Sequence, residues 1–392
     1  MSEDVFIVSA RRTPIGAFQG SLSAAGAPQL GAAAARAAID SSGLAAERIQ
    51  ETILGCVLMA GIGQAPARQA ALGAGVPENV PATTVNKMCG SALKALMMAS
   101  DQIRARSADI VLAGGIESMS NAPYLLPKAR SGLRMGHAEL IDHMFFDGLQ
   151  SPFDGRLMGF FADATAKKYG FTREQQDEFA AESVRRALSA VESGAFEAEI
   201  APVTVKERKG ERVVTKDETP FTCDIAKIPQ LKPAFNKDGT VTAASSSSIS
   251  DGAAALLLVN EHAVKAHGLE PLARVVAYTS HAQAPEWFTT APVGAIRSVL
   301  DRAGWSASQV DLFEINEAFA CVTMAAIHDL ELDHAKVNVN GGACALGHPI
   351  GATGARIMTT LLHALKQRNL KRGVASLCIG GGEATAMAVE LV

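Results

Sequence analysis

The chain has 392 residues, 48% of them apolar, with 35 glycines and few aromatics; this is too long for one ordinary core and suits close-packed helices on buried sheet. Thirty-six basic against 40 acidic side chains give a formal charge of −4 without a basic stripe, which argues against nucleic acid or an anionic membrane as partner. The start Met1-Ser2-Glu3-Asp4 carries acids where a secretion or mitochondrial signal needs bases, and no apolar run reaches membrane-spanning length, so a cytoplasmic location is expected.

In chain order, Val5 to Ser9 reads as a buried strand, Gln29 to Ser42 as an alanine-rich helix and Ile53 to Leu58 as a second strand, the alternation of a parallel sheet with helical crossovers. The grammar returns near the C-terminus. Ile39 to Leu44 followed by Ile49 to Leu54 matches Leu300 to Trp305 followed by Val310 to Ile315 at a constant offset of 261. A second echo sets Ile110 to Glu117 against Ala375 to Glu383, each a buried strand running into glycines and a glutamate. Chance likeness between Ala- and Gly-rich segments is the bland alternative, but two echoes in one order favour duplication. Residues 120 to 250 differ in texture, with Met, Phe, Pro and charged residues interspersed and a polar amphipathic helix at Arg173 to Ala190. They read as an insertion, in which Lys206 to Lys216 is a solvated hairpin or loop.

Six cysteines without C-x-x-C spacing suggest reduced thiols rather than a disulfide framework or a zinc site. Cys89 precedes Gly90-Ser91-Ala92-Leu93-Lys94, a strong helix former, so its sulfur is expected near a helix N-terminus where N–H groups and the dipole favour thiolate. Alone, such a cysteine would be an inert buried thiol. Two downstream segments supply what a nucleophile needs. His348 stands between Gly347 and Pro349 in a run with glycines at 341, 342, 347, 351 and 354, and imidazole can take a thiol proton and return it near neutrality. Cys378 ends the apolar run Val374 to Leu377 before Gly380-Gly381-Gly382, at a strand end where α/β sites are built and where glycine N–H groups can hold an oxyanion. Asn316 follows the strand Leu312 to Ile315 and can orient a water, donate to developing charge, or cap a helix. The other eight histidines share no ligand spacing, and there is neither a P-loop nor a dinucleotide fingerprint, so a metal, nucleotide hydrolysis and hydride transfer are unsupported.

These residues resemble the thiolases over essentially the whole chain, and within them the short-chain acetyl-CoA acetyltransferases. The matching segments are Asn86-Lys87-Met88-Cys89-Gly90-Ser91, Gly114-Gly115-Ile116-Glu117-Ser118-Met119-Ser120, Gly239-Thr240-Val241-Thr242-Ala243, Asn316-Glu317-Ala318-Phe319-Ala320, Gly347-His348-Pro349 and Cys378-Ile379-Gly380-Gly381-Gly382. The resemblance implies an α/β fold, a duplicated five-layered α/β/α/β/α core with an inserted loop domain. Its divisions would be 1–120 with 251–270, 121–250 over coenzyme A, and 271–392. It implies a homotetramer or homodimer and acetyl-CoA, acetoacetyl-CoA and CoA as partners, with no further cofactor.

By the same resemblance Cys89 would carry the acyl group, His348 would activate it and help bind the thioester oxygen, and Cys378 would remove the α-proton of the second acyl-CoA. Asn316, through a water, would serve one oxyanion site, and the N–H groups of Cys89 and Gly380 the other. Ser247 would contact pantetheine, Ala243 and Leu231 would lie along the CoA channel, and Met158, Phe235, Ala318 and Phe319 would border substrate. Three departures from the family pattern stand out: Ala244-Ser245-Ser246-Ser247-Ser248 for the common Gly-Asn-Ala-Ser-Gly, Leu157 where a histidine is frequent, and Cys344 for a branched apolar residue. The expected activity is acetyl-CoA C-acetyl transfer, with a broader 3-ketoacyl-CoA thiolase as alternative. A decarboxylating ketosynthase would lack the second catalytic cysteine, and a non-catalytic CoA-binding protein would have no use for it.

Overall fold

Residues 3–208 and 210–392 are described by the structure, a computed structural model; Met1, Ser2 and Lys209, which belong to the acidic start and the lysine-rich stretch, lie outside the described residues. The first half runs through β1 (Val5–Arg12), β2 (Gly16–Ala17), α1 (Ala27–Ser42), β3 (Glu51–Gly55), α2 (Pro66–Gly73), β4 (Ala82–Val85), α3 (Ser91–Arg104) and β5 (Ile110–Ser118). An insertion follows with β6 (Tyr124–Leu125), β7 (Ile141–Asp142), α4 (Met158–Tyr169), α5 (Arg173–Glu192) and the antiparallel pair β8 (Val203–Glu207) and β9 (Gly210–Val214). Strand β10 (Ser250–Asn260) then completes the half, and α6 (Glu261–His267) leads out of it. The second half contains β11 (Ala273–Ala282), α7 (Ala291–Ala303), β12 (Leu312–Ile315), α8 (Ala320–Asp329), α9 (Ala343–Leu346), α10 (Thr353–Gln367), β13 (Arg372–Ile379) and β14 (Glu383–Leu391).

The strands lie in the order β12-β13-β14-β11-β1-β10-β5-β3-β4, with β2 beside β10. Each half repeats one pattern. In the first, β3 is parallel to both β4 and β5, and β10 and β1 follow antiparallel. In the second, β12 is parallel to β13, β14 and β11 follow antiparallel, and the position equivalent to β4 shrinks to one parallel bridge between Phe313 and Val337. The halves join edge to edge through only Phe6 opposite Arg274 and Ile7 opposite Ala273.

Five layers follow from which faces are apolar. Along β10, Ala254, Leu256 and Leu258 enter the same core cluster as α3, α10 and the second-half residues Leu377 and Met387, while Ala253, Ala255, Leu257 and Val259 join α1 and α2 on the opposite face. Alternation with both faces apolar is what a strand between two helical layers requires. The second sheet does the same, with Ala375 and Leu377 on the central side and Val374 with α7 on the outer side. Helices α3 and α10 therefore lie between the two sheets.

Several expectations shift, each for a physical reason. Strand β1 extends past Ser9 to Arg12 because the insertion covers its end: Arg12 is fully buried between Glu199 (2.5 Å) and Asp217 (2.7 Å). Strand β3 stops at Gly55 rather than Leu58, since Val57 and Leu58 turn their N–H groups to the Glu117 carboxylate instead of a neighbouring strand. The first echo is carried by β3 and β12. The second joins the right strands, β5 and β13, in the wrong register. Glu51 faces Val111 where Leu312 faces Gly373, so Glu117 corresponds to Ile379 and not to Glu383. Strands of Ala, Gly and Ile present no large side chain to mark register. In the second half β13 and β14 are joined by the tight Gly380-Gly381-Gly382 turn, with φ of 96° and 93° at the last two; the insertion sits in the same connection of the first half.

Among the described residues no helix is long and apolar enough to cross a membrane. Replacing Arg12 by alanine strips two buried carboxylates of their counter-charge and is expected to cost about 3–5 kcal/mol, read as a lower denaturant midpoint.

Candidate active site

Cys89 lies in the short connection from β4 to α3, just before the Gly90 that precedes the helix. Met88 is held at φ +50°, a strained conformation for a long side chain. The surrounding bonds over-determine it. Asn86 Oδ1 accepts the Met88 N–H (3.0 Å), and Ser91 Oγ accepts the Lys87 N–H (2.8 Å) while donating to the Met88 carbonyl (2.6 Å). Lys87 also pairs with Glu383, and a Cβ on Gly90 would strike Ile379, so the turn is pressed onto the β13–β14 turn of the other half. The N–H groups of Gly380 and of Cys89 itself favour the ionised form of the Cys89 sulfur.

Those donors pull the thiol toward ionisation, as the helix-start argument anticipates, but burial outweighs them. Desolvation, with a smaller contribution from the Glu117 charge, pushes the Cys89 thiol up to about 11. The expected thiolate is corrected to a neutral thiol that needs a base.

His348 provides a free nitrogen. Its Nδ1 is 2.7 Å from Thr353 Oγ1, and that hydroxyl donates to the Pro349 carbonyl (2.9 Å), which assigns Nδ1 as the protonated nitrogen. Nε2 therefore carries the lone pair, is buried, and has no hydrogen-bond partner among the described residues. Burial, assisted by the charge of Arg356, drives the imidazole down to about 3, so it rests neutral. Asn316 Nδ2 stands 3.5 Å from His348 Nδ1, and Asn316 Oδ1 is buried without a partner among the described residues.

A cavity of about 180 Å³ opens beside His348. One wall includes Met119, Leu149, Ile249 and Ile350, members of the apolar cluster against which Cys89 packs. The lining also includes Met158, Phe235 and Phe319, which share a cluster with Ala318 and the buried Cys378. Each thiol thus packs against a cluster that lines the cavity, and burial with the neighbouring Cys89 and Cys321 holds Cys378 well above the usual thiol range. Ser247 lines the cavity and donates its N–H to the Ala318 carbonyl (3.0 Å). The rings of Phe235 and Phe319 meet edge to face at 5.9 Å, and Phe235 presses so closely on Gly159 that a Cβ there would lie 2.2 Å away.

The family model described as thiolase, N-terminal domain, matches residues 5–262, and that for the thiolase C-terminal domain matches residues 269–391. The chain belongs to the thiolase family. An acetyl-CoA acetyltransferase of Pseudomonas aeruginosa is 52% identical over 387 residues, covering 98% of each chain. One of Escherichia coli (strain K12) is 50% identical over 386 residues, again covering 98% of each. A crystal structure of the Bacillus anthracis acetyl-CoA acetyltransferase superposes with a TM-score of 0.97 at 42% identity, over 100% of this chain and 99% of that one.

In this thiolase Met158, Phe235, Ser247, Phe319 and His348 line one cavity, and Leu157, one of the departures, lines it as well. Ala243 is exposed and Leu231 half-buried, and neither lines that cavity. The serine run is ordered: Ser245 Oγ accepts the Thr242 N–H (2.8 Å), Ser246 Oγ donates to the Thr242 carbonyl (2.7 Å), and the Ser248 carbonyl accepts the His348 N–H (3.1 Å). Cys344 is buried on α9, where its N–H donates to Glu317 (3.1 Å).

Residue-by-residue reading missed Thr353, the acceptor that sets the His348 tautomer, and the Phe145–Leu149 segment of the cavity wall, part of a π-helical turn over Met144–Leu149. Both reach the site through tertiary contact. Glu117, within the Gly114–Ser120 segment, is wholly buried. With Cys89 near 11 and His348 near 3, the free protein holds a neutral thiol and imidazole. Alkylation of Cys89 followed by mass spectrometry is expected to accelerate continuously from about pH 7 to about pH 10, because thiolate accumulates only as pH approaches the thiol pKa; a plateau near neutrality would indicate a thiolate–imidazolium pair instead.

Proposed function

We propose that this thiolase is an acetyl-CoA C-acetyltransferase, joining two acetyl-CoA into acetoacetyl-CoA and CoA and running the reverse cleavage by the same path. The observation that carries the reading is a neutral buried imidazole with a free Nε2 on a cavity whose lining belongs to the two apolar clusters that hold the half-buried Cys89 and the buried Cys378.

The proton count shows why two thiols are needed. As Cys89 sulfur attacks the first thioester, its proton passes to His348 Nε2 and the tetrahedral oxyanion forms beside the Cys89 and Gly380 N–H groups, leaving His348 and Asn316 to meet the thioester oxygen of the second acetyl-CoA. The carbon–sulfur bond to CoA breaks, and the departing CoA thiolate takes a proton from Cys378. Acetyl-Cys89 and a Cys378 thiolate remain. Buried as Cys378 is, that thiolate is a strong base and removes the α-proton of the second acetyl-CoA. The resulting enolate attacks the acetyl-Cys89 carbonyl, whose oxyanion lies within reach of the Cys89 and Gly380 N–H groups. Cys89 leaves and recovers its proton from His348, so all three groups return to their starting forms. The kinetics are ping-pong.

The small cavity, with Phe235 packed on Gly159 and Phe319, favours a short acyl group. Nucleophile, bases and oxyanion donors all come from the chain, so CoA thioesters are the only small molecules this scheme uses. Assembly as a homotetramer or homodimer and a cytoplasmic location complete the proposal; the charge balance and the absence of an apolar spanning helix among the described residues are compatible with it.

Cys89→Ala is expected to abolish CoA-dependent loss of acetoacetyl-CoA enolate absorbance, and native protein with acetyl-CoA should carry an acetyl group on Cys89 by mass spectrometry. In a series of 3-ketoacyl-CoAs, kcat/KM is expected to fall as the chain lengthens; a flat profile would favour the broader 3-ketoacyl-CoA thiolase.

A further inference from the structure

Glu117 is the buried carboxyl group that the acyl-transfer scheme leaves unused. It is fully buried at the end of β5. Its Oε2 accepts the N–H of Val57 (3.1 Å) and of Gly351 (2.9 Å); its Oε1 accepts the Leu58 N–H (3.2 Å) and lies 3.8 Å from Cys56 Sγ. One carboxylate thus gathers three backbone donors from two segments, one leaving β3 in the first half and one in the His348 loop of the second.

The fit is close on every side. A Cβ on Gly351 would lie 2.6 Å from Glu117 Oε2, and one on Gly115 would lie 2.2 Å from the Gly351 carbonyl. Both glycines are needed for β5 to approach the loop. What the carboxylate holds is catalytic scenery rather than a reacting atom: Val57, Leu58 and Ile350 form, with Met119 and Met144, the apolar cluster against which Cys89 packs. Three residues before Gly351 is His348.

We infer that Glu117 is a positioning residue for acyl transfer, a buried carboxyl group whose oxygens tie the β3 exit to the His348 loop and brace the cluster against which Cys89 packs, across the junction of the two halves. The inference rests on the acyltransferase reading. It explains why a costly buried carboxyl group stands here: three N–H groups would otherwise lack an acceptor, and a neutral amide could satisfy only part of the set. Burial pushes Glu117 up to about 7, so it is charged over the higher pH range in which Cys89 ionises, and there its charge opposes that ionisation. The other groups around that thiol are the Gly380 and Cys89 N–H donors, Cys378 and the Lys87–Glu383 pair.

The test compares Glu117→Gln with Glu117→Asp. In the first, kcat for acetoacetyl-CoA cleavage is expected to fall by about ten- to a hundredfold with KM changing much less, as misplacement of reacting groups would give. At the same time Cys89 alkylation should shift to lower pH, because a repelling charge is gone. Glu117→Asp keeps the charge but shortens the reach, so it should lower kcat and leave the alkylation profile near that of the native protein. A folded Glu117→Gln with native kcat overturns the inference, as does a loss of kcat without a downward alkylation shift. Should either variant fail to fold, amide exchange of the native protein decides: protected Val57, Leu58 and Gly351 amides support the bracing, and freely exchanging ones overturn it. Inactive native protein would instead refute the acyltransferase reading, while alkylation and exchange still report on Glu117.

Discussion

The structure depends on one close approach, between the first turns of α3 and α10. A Cβ on Gly354, near the start of α10, would lie 2.4 Å from the backbone nitrogen of Leu93, near the start of α3. Backbone is against backbone. Because both helices begin at this contact, the segments that enter them must also meet, and these carry Cys89 and His348. Layering completes the arrangement: α3 and α10 are enclosed between sheets from both halves, so neither helix can withdraw without opening the core.

Burial then sets the chemistry. A helix start and two N–H donors would ordinarily favour a thiolate, yet desolvation raises Cys89 and lowers His348, and both rest neutral. For a condensing enzyme this has a consequence. Charge appears only as bonds are made and broken, and it appears where backbone donors already point, so little reorganisation is required when it does. Cys378 fits the same logic, since a thiol that holds its proton tightly becomes a strong base once that proton has been surrendered.

The halves contribute unequally to a site that belongs to both. The first supplies Cys89 and Glu117; the second supplies Asn316, His348, Cys378 and the Gly380 N–H. The insertion, which replaces a tight glycine turn of the other half, supplies Leu157, Met158 and Phe235 on the cavity wall and the Glu199 and Asp217 that neutralise Arg12. Duplication gave a symmetric frame, and the asymmetric insertion roofed it on one side.

Much of this was legible in the chain itself. Cys89 before a helix former, His348 between glycine and proline, Asn316 and Cys378 at strand ends, and the echo at an offset of 261 all depend on local pattern, because neighbours in sequence decide whether a residue ends a strand or starts a helix. The family resemblance followed from those same segments. Only the tertiary structure decided the register of the second echo, the burial of Arg12 in a strand end, the tautomer of His348 through Thr353, and the neutrality of the Cys89 thiol. Each depends on what packs against a residue from a distant part of the chain. Desolvation is a property of that packing, and no run of letters around Cys89 records which distant residues close over it.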